Sequence, residues 1–377
     1  MRIVIISDDG LPDIRVEREI YLLRKMEHDV YFIGPFHYTS LIDKSYLSGI
    51  YNIDFPIKAK LDIPPYSYWI KRKINKILRA VKPDMIIAVN FYMANIIHKL
   101  GYPMIFDDHE FNQLLISFRY VTNEYRDFQS RISALRSLYL MRKNLYEIVA
   151  ENTTWVVSEY FKNVYKAVTG NNHIYVLRNY PTLKELNSIE FKELGKPPLN
   201  MCFFGSLSLT NIKSLIRRVY ESINTLINMQ EFGSSMYLHV FGGKINYLQE
   251  KRGIVYHGYI RNVIDLLKQL SRMHACLIAY LPTPIQAPYS PNKVYHCMAA
   301  GGIPIITDTM IEVIKEIENG LLLVNSIDFE KSLSQIIKNL TNMSSEEINS
   351  MRLKAYMTIR SHSWEHYENI ISRSLSY

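Results

Sequence analysis

Cysteine is scarce. Cys202, Cys276 and Cys297 are the only three in 377 residues, widely spaced and without a CxxC pair or a Cys/His cluster. That spacing indicates neither a disulfide framework nor a structural metal, and it fits a reducing compartment. Glycine and proline, 15 of each, are too few for a collagen-like or low-complexity chain. Apolar residues reach 48% and charged residues 21%, a balance that excludes disorder as the main state. No uncharged apolar run approaches the roughly 18 residues of a membrane-spanning helix. The longest, over 85–106, is interrupted by Asn90, Asn95, His98 and Lys99. The first residues, MRIVIISDDG, read as a strand rather than a signal peptide. No two aspartates stand two apart, so there is no Asp-x-Asp to hold a divalent ion. The expectation is a soluble cytoplasmic protein with room for about two domains.

Basic residues are what the chain has in surplus: 44 against 36 acidic, for a net charge of +8. Such a surplus suits nucleotide phosphates, nucleic acid or an acidic membrane face, or is solvated surface alone. One cluster stands out. Tyr66, Tyr68 and Trp69 precede Lys71, Arg72, Lys73, Lys76 and Arg79, so interfacial aromatics lead a basic amphipathic helix over 66–79. That order reads as a site for an anionic membrane surface, with a solvated helix face as the alternative. Arg119, Arg126, Arg131, Arg136, Arg142 and Lys143 extend the basicity. No nucleic-acid motif accompanies the charge, so no nucleic-acid partner is expected.

Short apolar runs alternate with helical patterns. Arg2–Ser7 is a continuous β-branched run of buried-strand type, and Ile14–Lys25 carries apolar residues at helical spacing. Strand-like runs recur at 29–33, 84–89, 103–106, 154–157 and 174–177. After a looser polar stretch, 181–198, the rhythm restarts at 200–204, 236–241, 254–256, 275–279, 303–306 and 321–324. Helical patterns separate these runs, including 209–228 and 262–272. The period implies βαβ units and parallel sheets covered on both faces. The fold class is therefore α/β, with two doubly wound Rossmann-like domains facing a central cleft.

The most informative stretch is 290–306, SPNKVYHCMAAGGIPII. A polar loop with Ser290, Asn292 and Lys293 opens a helix that ends in Ala-Ala-Gly-Gly and runs into an apolar strand. A helix N-terminus offers free N–H groups and a positive dipole end to a phosphate, and Lys293 adds a full charge. An ordinary capped helix is the competing reading.

This pattern resembles the donor-site helix of GT-B glycosyltransferases, specifically the retaining family 4. Further matches follow in order: FDDHE at 106–110, VVSE at 156–159, RNYP at 178–181 and Phe241-Gly242-Gly243. Next come His257-Gly258-Tyr259-Ile260, IEVIKEIENGLLLV at 311–324 and Ser363-Trp364-Glu365. The resemblance covers nearly the whole chain. It implies an acceptor-binding domain over 1–183, a nucleotide-sugar domain over 184–360, and a terminal helix over 361–377 crossing back to the first domain. It also implies transfer from a UDP- or GDP-sugar to a glycan, glycolipid or lipid-linked acceptor. Retention and independence of metal are expected, with no cofactor beyond the donor and a location in the cytoplasm, peripheral to a membrane.

By the same resemblance, His109 and Lys293 are the catalytic residues. Gly10, Gly205, Ser206, Gly258, Tyr259, Ser290, Asn292, Lys293, His296 and Gly301 contact the donor or its diphosphate. The chain departs from the family at four positions. Pro288 and His296 stand where two glutamates bracket the loop, and Ser206 and Asn211 stand where an Arg and a Lys clamp the diphosphate. Lys213 and Arg261 are nearby cations. Arg15, Glu17 and Arg18 either face the cleft or form a solvated helix face, the latter being preferred. Two rivals stay open: a non-catalytic GT-B-like binding or scaffolding subunit, and a sugar-nucleotide epimerase of similar architecture.

Overall fold

The β-branched run at the start of the chain forms strand β1 (Arg2–Ser7) in the computed structural model. It describes residues 1–55, 65–109, 112–121, 127–195, 198–205, 236–242, 253–278, 287–317 and 319–376. The helix expected over 209–228 and the positions Ser206, Asn211 and Lys213 lie outside the described residues, as does Glu110. The chain divides into two compact units, Met1–Arg178 with Trp364–Tyr377, and Asn179–Ser363. The boundary expected after residue 183 falls within a stretch whose Thr182–Glu185 capping box belongs to the second unit.

In the first unit, β1 is followed by α1 (Ile14–Lys25), β2 (Asp29–Gly34), β3 (Gly49–Asn52), α2 (Tyr66–Val81) and β4 (Met85–Val89). Then come α3 (Asn90–Leu100), β5 (Met104–Asp108), α4 (Asn112–Val121), α5 (Phe128–Glu151), β6 (Thr153–Val156), α6 (Glu159–Thr169) and β7 (Ile174–Val176). The seven strands are parallel, in the order β3-β2-β1-β4-β5-β6-β7. Strand β3 was not foreseen, because Gly49–Asn52 is short and only partly buried. Successive strand residues point to opposite faces. Val4 and Ile6 pack with Ile86, Phe106, Ile74 and Ile97 on one face, while Ile3 and Ile5 are equally buried on the other. Both faces are covered, which is why the strand reads as an unbroken apolar run.

Helix α2 shows how its sequence divides. Ile70, Ile74, Leu78 and Val81 are buried at spacings of one turn. Tyr66, Tyr68 and Trp69 are exposed. The closing segment Trp364–Tyr377 packs into the same unit: Trp155 Nε1 donates to Ser374 Oγ at 3.1 Å, and Arg178 N donates to Tyr367 Oη at 2.9 Å.

The second unit holds β8 (Leu199–Gly205), β9 (Met236–Gly242), β10 (Ile254–Gly258), β11 (Ala275–Ile278), β12 (Ile303–Thr307) and β13 (Leu322–Val324). They form a parallel sheet in the order β10-β9-β8-β11-β12-β13. Its core includes Met201, Phe203, Val240, Leu277, Ile305 and Leu333.

One expectation is overturned here. Cys276 on β11 and Cys297 on the helix Asn292–Ala299 form a disulfide, with Cα atoms 6.1 Å apart. A side chain at Gly302 would come within 2.9 Å of Cys297 Sγ and 3.1 Å of Cys276 Sγ, so the glycine leaves room for the bridge. The crossover that returns a helix to a neighbouring strand makes the pair, and such tertiary proximity is invisible in cysteine spacing. Cys202 is buried and unpaired with another cysteine, and burial pushes its thiol pKa up. No described helix is long and apolar enough to cross a membrane.

Candidate functional site

In doubly wound sheets, ligands gather beyond the carboxyl ends of the strands where the strand order reverses. That reversal lies between β1 and β4 in the first unit and between β8 and β11 in the second.

Beyond β1, Gly10 has φ +77°, and a side chain there would come within 2.2 Å of the Pro35 carbonyl oxygen. Leu11 N donates to that carbonyl at 2.9 Å. The glycine is thus required by a tight turn against Pro35. Helix α1 begins at the N-cap Asp13, whose carboxylate accepts from Arg15 N and Val16 N.

The first turns of α1 are buried, which corrects the expectation of a solvated face. Arg15 is 2% exposed, and Glu17, Arg18 and Glu19 are fully buried. Arg15 reaches Asp107 at the end of β5 through Nη2–Oδ1 at 2.6 Å and Nε–Oδ2 at 3.0 Å. It also donates to the Leu177 carbonyl at 2.7 Å and lies over the Trp364 ring. Glu17 accepts from the backbone N–H groups of Ser40, Leu41 and Ile42, fixing the loop after β2. Its helical period hid this role, since buried charges look like surface charges until partners come from elsewhere in the chain.

His109 joins the same cluster. Its Nδ1 lies 2.9 Å from Asp107 Oδ2, and its Nε2 lies 3.7 Å from Asp13 Oδ2. Burial opposes the imidazolium, but the Asp107 hydrogen bond and the charges of Asp107 and Asp13 outweigh it, raising the pKa to about 9. Burial likewise opposes ionised Asp107, but Arg15 and His109 outweigh it and hold its carboxyl well below the ordinary range. Glu19 moves the other way: burial first, then the neighbouring Asp107 charge, raise its pKa well above the usual value. At neutral pH, His109 is therefore a cation and hydrogen-bond donor rather than a base.

In the second unit, β8 ends at Gly205 with φ +124°, and β9 ends at Gly242 with φ +148°. A side chain on Gly242 would come within 2.1 Å of the Gly205 carbonyl oxygen, and one on Gly205 within 2.5 Å of Lys293 Cε and Nζ. Lys293 therefore lies across the Gly205 backbone, with its ammonium 5.2 Å from the Phe203 ring centroid. Lys293 belongs to the first turn of the helix Asn292–Ala299, whose N-cap Pro291 supplies no side-chain cap. Asn292 opens that helix. The family resemblance assigns Gly205 and Lys293 to one site, and the fold places the lysine side chain against the glycine.

Several other donor candidates are engaged within the chain. Ser290 is buried, its Oγ 2.6 Å from Tyr295 Oη, and its carbonyl accepts from Asn179 Nδ2 at 2.7 Å. His296 Nε2 lies 3.1 Å from Glu185 Oε1, while Glu185 Oε2 accepts from Thr182 N and Oγ1. His296 Nε2 is thus engaged by Glu185, a residue the motif reading did not single out. Gly301 has φ +75° beyond the far end of the helix, against the Phe191 ring. At 1.5 Å per residue it stands about 13 Å from Asn292, too far for the same phosphate; it serves the helix-ending turn. Gly258 turns the chain after β10 with φ +74° and open space beside it, and Tyr259 is 64% exposed. No group of three or more metal-ligating side chains occurs among the described residues.

The arrangement is the GT-B fold: two doubly wound parallel sheets with helices. The chain is similar along its whole length to sucrose-phosphate synthase from Thermosynechococcus elongatus. Identity is 13%, coverage 99% of this chain and 98% of that one, and the TM-score 0.68. It is also similar to WaaG, a glycosyltransferase involved in lipopolysaccharide biosynthesis, at 10% identity, 98% coverage of both chains and a TM-score of 0.66. A Listeria monocytogenes protein assigned as a UDP-N-acetylglucosamine 2-epimerase shares the fold at 11% identity. It covers 99% of this chain and 95% of that one, with a TM-score of 0.63. No family model matches the sequence, and no curated protein does. These likenesses establish the fold.

Proposed function

We propose that the chain is a retaining, family 4-like glycosyltransferase that takes its sugar from a UDP- or GDP-sugar. The observation that carries the reading is Lys293 lying across Gly205 at the carboxyl end of β8, beside the start of an uncapped helix. A cation, the positive dipole end of a helix without a side-chain cap and a backbone without side chains suit a diphosphate. The leaving diphosphate gains charge in the transition state, and Lys293 with the helix dipole stabilises it there. No Asp-x-Asp motif is present to bring a metal to it, so transfer is assigned to these groups. His109, held as an imidazolium by Asp107, donates a hydrogen bond toward the transferred sugar.

The acceptor is a glycan, glycolipid or lipid-linked sugar bound by the first unit near Gly10 and His109. The surface of α2 supports a peripheral site at the cytoplasmic face of a membrane. Tyr68 and Trp69 are exposed, and Lys73 Nζ lies 5.1 Å over the Trp69 ring. Helix α5 adds exposed Phe128, Ile132, Leu135 and Tyr139 at helical spacing, alongside Arg131, Arg136 and Arg142. Slow release of UDP or GDP from a nucleotide sugar, lost in Lys293→Ala, tests the reading. Epimerised donor sugar without any acceptor would favour the epimerase instead. Binding without turnover of any donor would favour the scaffolding subunit.

A further inference from the structure

Asn90 has no part in the proposed reaction, yet it stands at the point where the strand order of the first sheet reverses. The register pairs Ser7 with Val89 and Val89 with Asp107. The residues that follow these three, Asp8 and Asp9, Asn90, and Asp108 and His109, therefore run in one row across adjacent strand ends. Sequence carried a faint signal, since Asn90 is the first polar residue after the apolar strand β4 (Met85–Val89).

Two observations set Asn90 apart. It holds φ +62°, a left-handed conformation that asparagine adopts more readily than most residues. Its side chain is fully buried: Nδ2 donates to Asp9 Oδ2 at 3.3 Å, while Oδ1 has no hydrogen-bond partner among the described residues. A carbonyl oxygen screened from water and given no donor is costly, and such groups are rare unless a ligand or water completes them.

The missing partner must donate. Asn90 Oδ1 and the Asp9 carboxylate are both acceptors, so an anion is repelled there. An alcohol hydroxyl fits: it donates to Oδ1, and a neighbouring hydroxyl donates to Asp9, which is exposed at the lip of the turn. Adjacent hydroxyls of this kind are the signature of a saccharide. We propose that Asn90 and Asp9 form a hydroxyl-reading subsite for a sugar acceptor, with Asn90 determining which ring hydroxyl is held. The proposal rests on the glycosyl-transfer reading for its acceptor, though not for its chemistry.

The test uses the full chain with methyl α-glucoside, methyl α-mannoside and methyl α-galactoside as probes, read by saturation-transfer NMR. UDP and GDP affinity are measured in parallel by calorimetry. Wild type should bind at least one glycoside. Asn90→Gly, which suits φ +62°, should keep the melting temperature and nucleotide affinity while weakening that glycoside about tenfold, as loss of one buried hydrogen bond does. Asn90→Asp tolerates the same backbone but turns a donor to Asp9 into a repelling oxygen, so it should weaken the glycoside as well. If Asn90→Gly fails to fold, Asn90→Asp carries the test. No glycoside binding by wild type, or binding unchanged in the folded variants, overturns the subsite and leaves the asparagine a structural turn residue. Glycoside binding through Asn90 without any UDP or GDP binding sinks the donor reading while the subsite stands.

Discussion

Arg15 and Asp107, 92 residues apart in sequence, meet inside the first unit as a two-pronged ion pair, with Nη2–Oδ1 at 2.6 Å. Asp107 in turn holds His109, so one buried carboxylate anchors a structural cation and orients a candidate catalytic one. Exchanging this carboxylate for an amide would leave Arg15 buried without its counter-charge. Asp107→Asn should cost about 3–5 kcal/mol of stability, the range for breaking a buried pair on one side. Urea unfolding of the two proteins checks this, and a loss below about 1 kcal/mol would mean Glu19 takes over as partner.

The raised pKa of His109 has a definite consequence for pH. Its folded value of about 9 exceeds the unfolded value near 6.5. The stabilisation is therefore fully present below about pH 6.5 and is lost as pH rises toward 9. It amounts to about 3 kcal/mol for a single group. Denaturation midpoints of wild type and His109→Asn should converge between pH 6 and pH 9.5. A gap that does not change with pH would show that the histidine is not charged in the folded protein.

Donor binding should depend on one lysine. Lys293→Ala should weaken UDP or GDP by roughly 2–3 kcal/mol, as expected for a charge-assisted contact. Folding should be nearly unchanged, since the side chain crosses a glycine and leaves no large cavity. Unaltered nucleotide affinity by calorimetry would remove Lys293 from the donor site.

Membrane docking predicts salt-sensitive binding to anionic vesicles. Each basic residue near such a surface contributes about 1 kcal/mol, screened within a Debye length. Reversing Lys71, Arg72 and Lys73 to Glu should abolish sedimentation with phosphatidylserine vesicles while sparing nucleotide binding. Wild-type protein that ignores the vesicles at low salt would make α2 only a solvated face.

Local chemistry made much of this protein legible. Continuous β-branched runs such as Arg2–Ser7 and the restart near 200 declare two parallel sheets, because a strand buried on both faces is apolar along most of its length. Among the described residues, the one strand that escaped notice, Gly49–Asn52, is a partly buried edge with little apolar pressure on it. Lys293 stood out through the loop-and-helix motif at 290–306, and Gly205 through the family resemblance; their contact across 88 residues belongs to the fold.

What tertiary structure alone decided is where polar side chains find partners. Arg15, Glu17 and Arg18 read as a solvated helix face, yet Asp107 and the 40–42 backbone draw Arg15 and Glu17 inward, and Arg18 is fully buried. His296, a donor contact by the family resemblance, is met by Glu185 from 111 residues away. Cys276 and Cys297 looked like isolated thiols until a strand and a helix brought them together. Hydrophobic patterning is a property of neighbours in sequence, so the chain displays it directly. Hydrogen bonds, ion pairs and disulfides depend on distances of a few ångströms between remote residues, and only the folded backbone sets those distances.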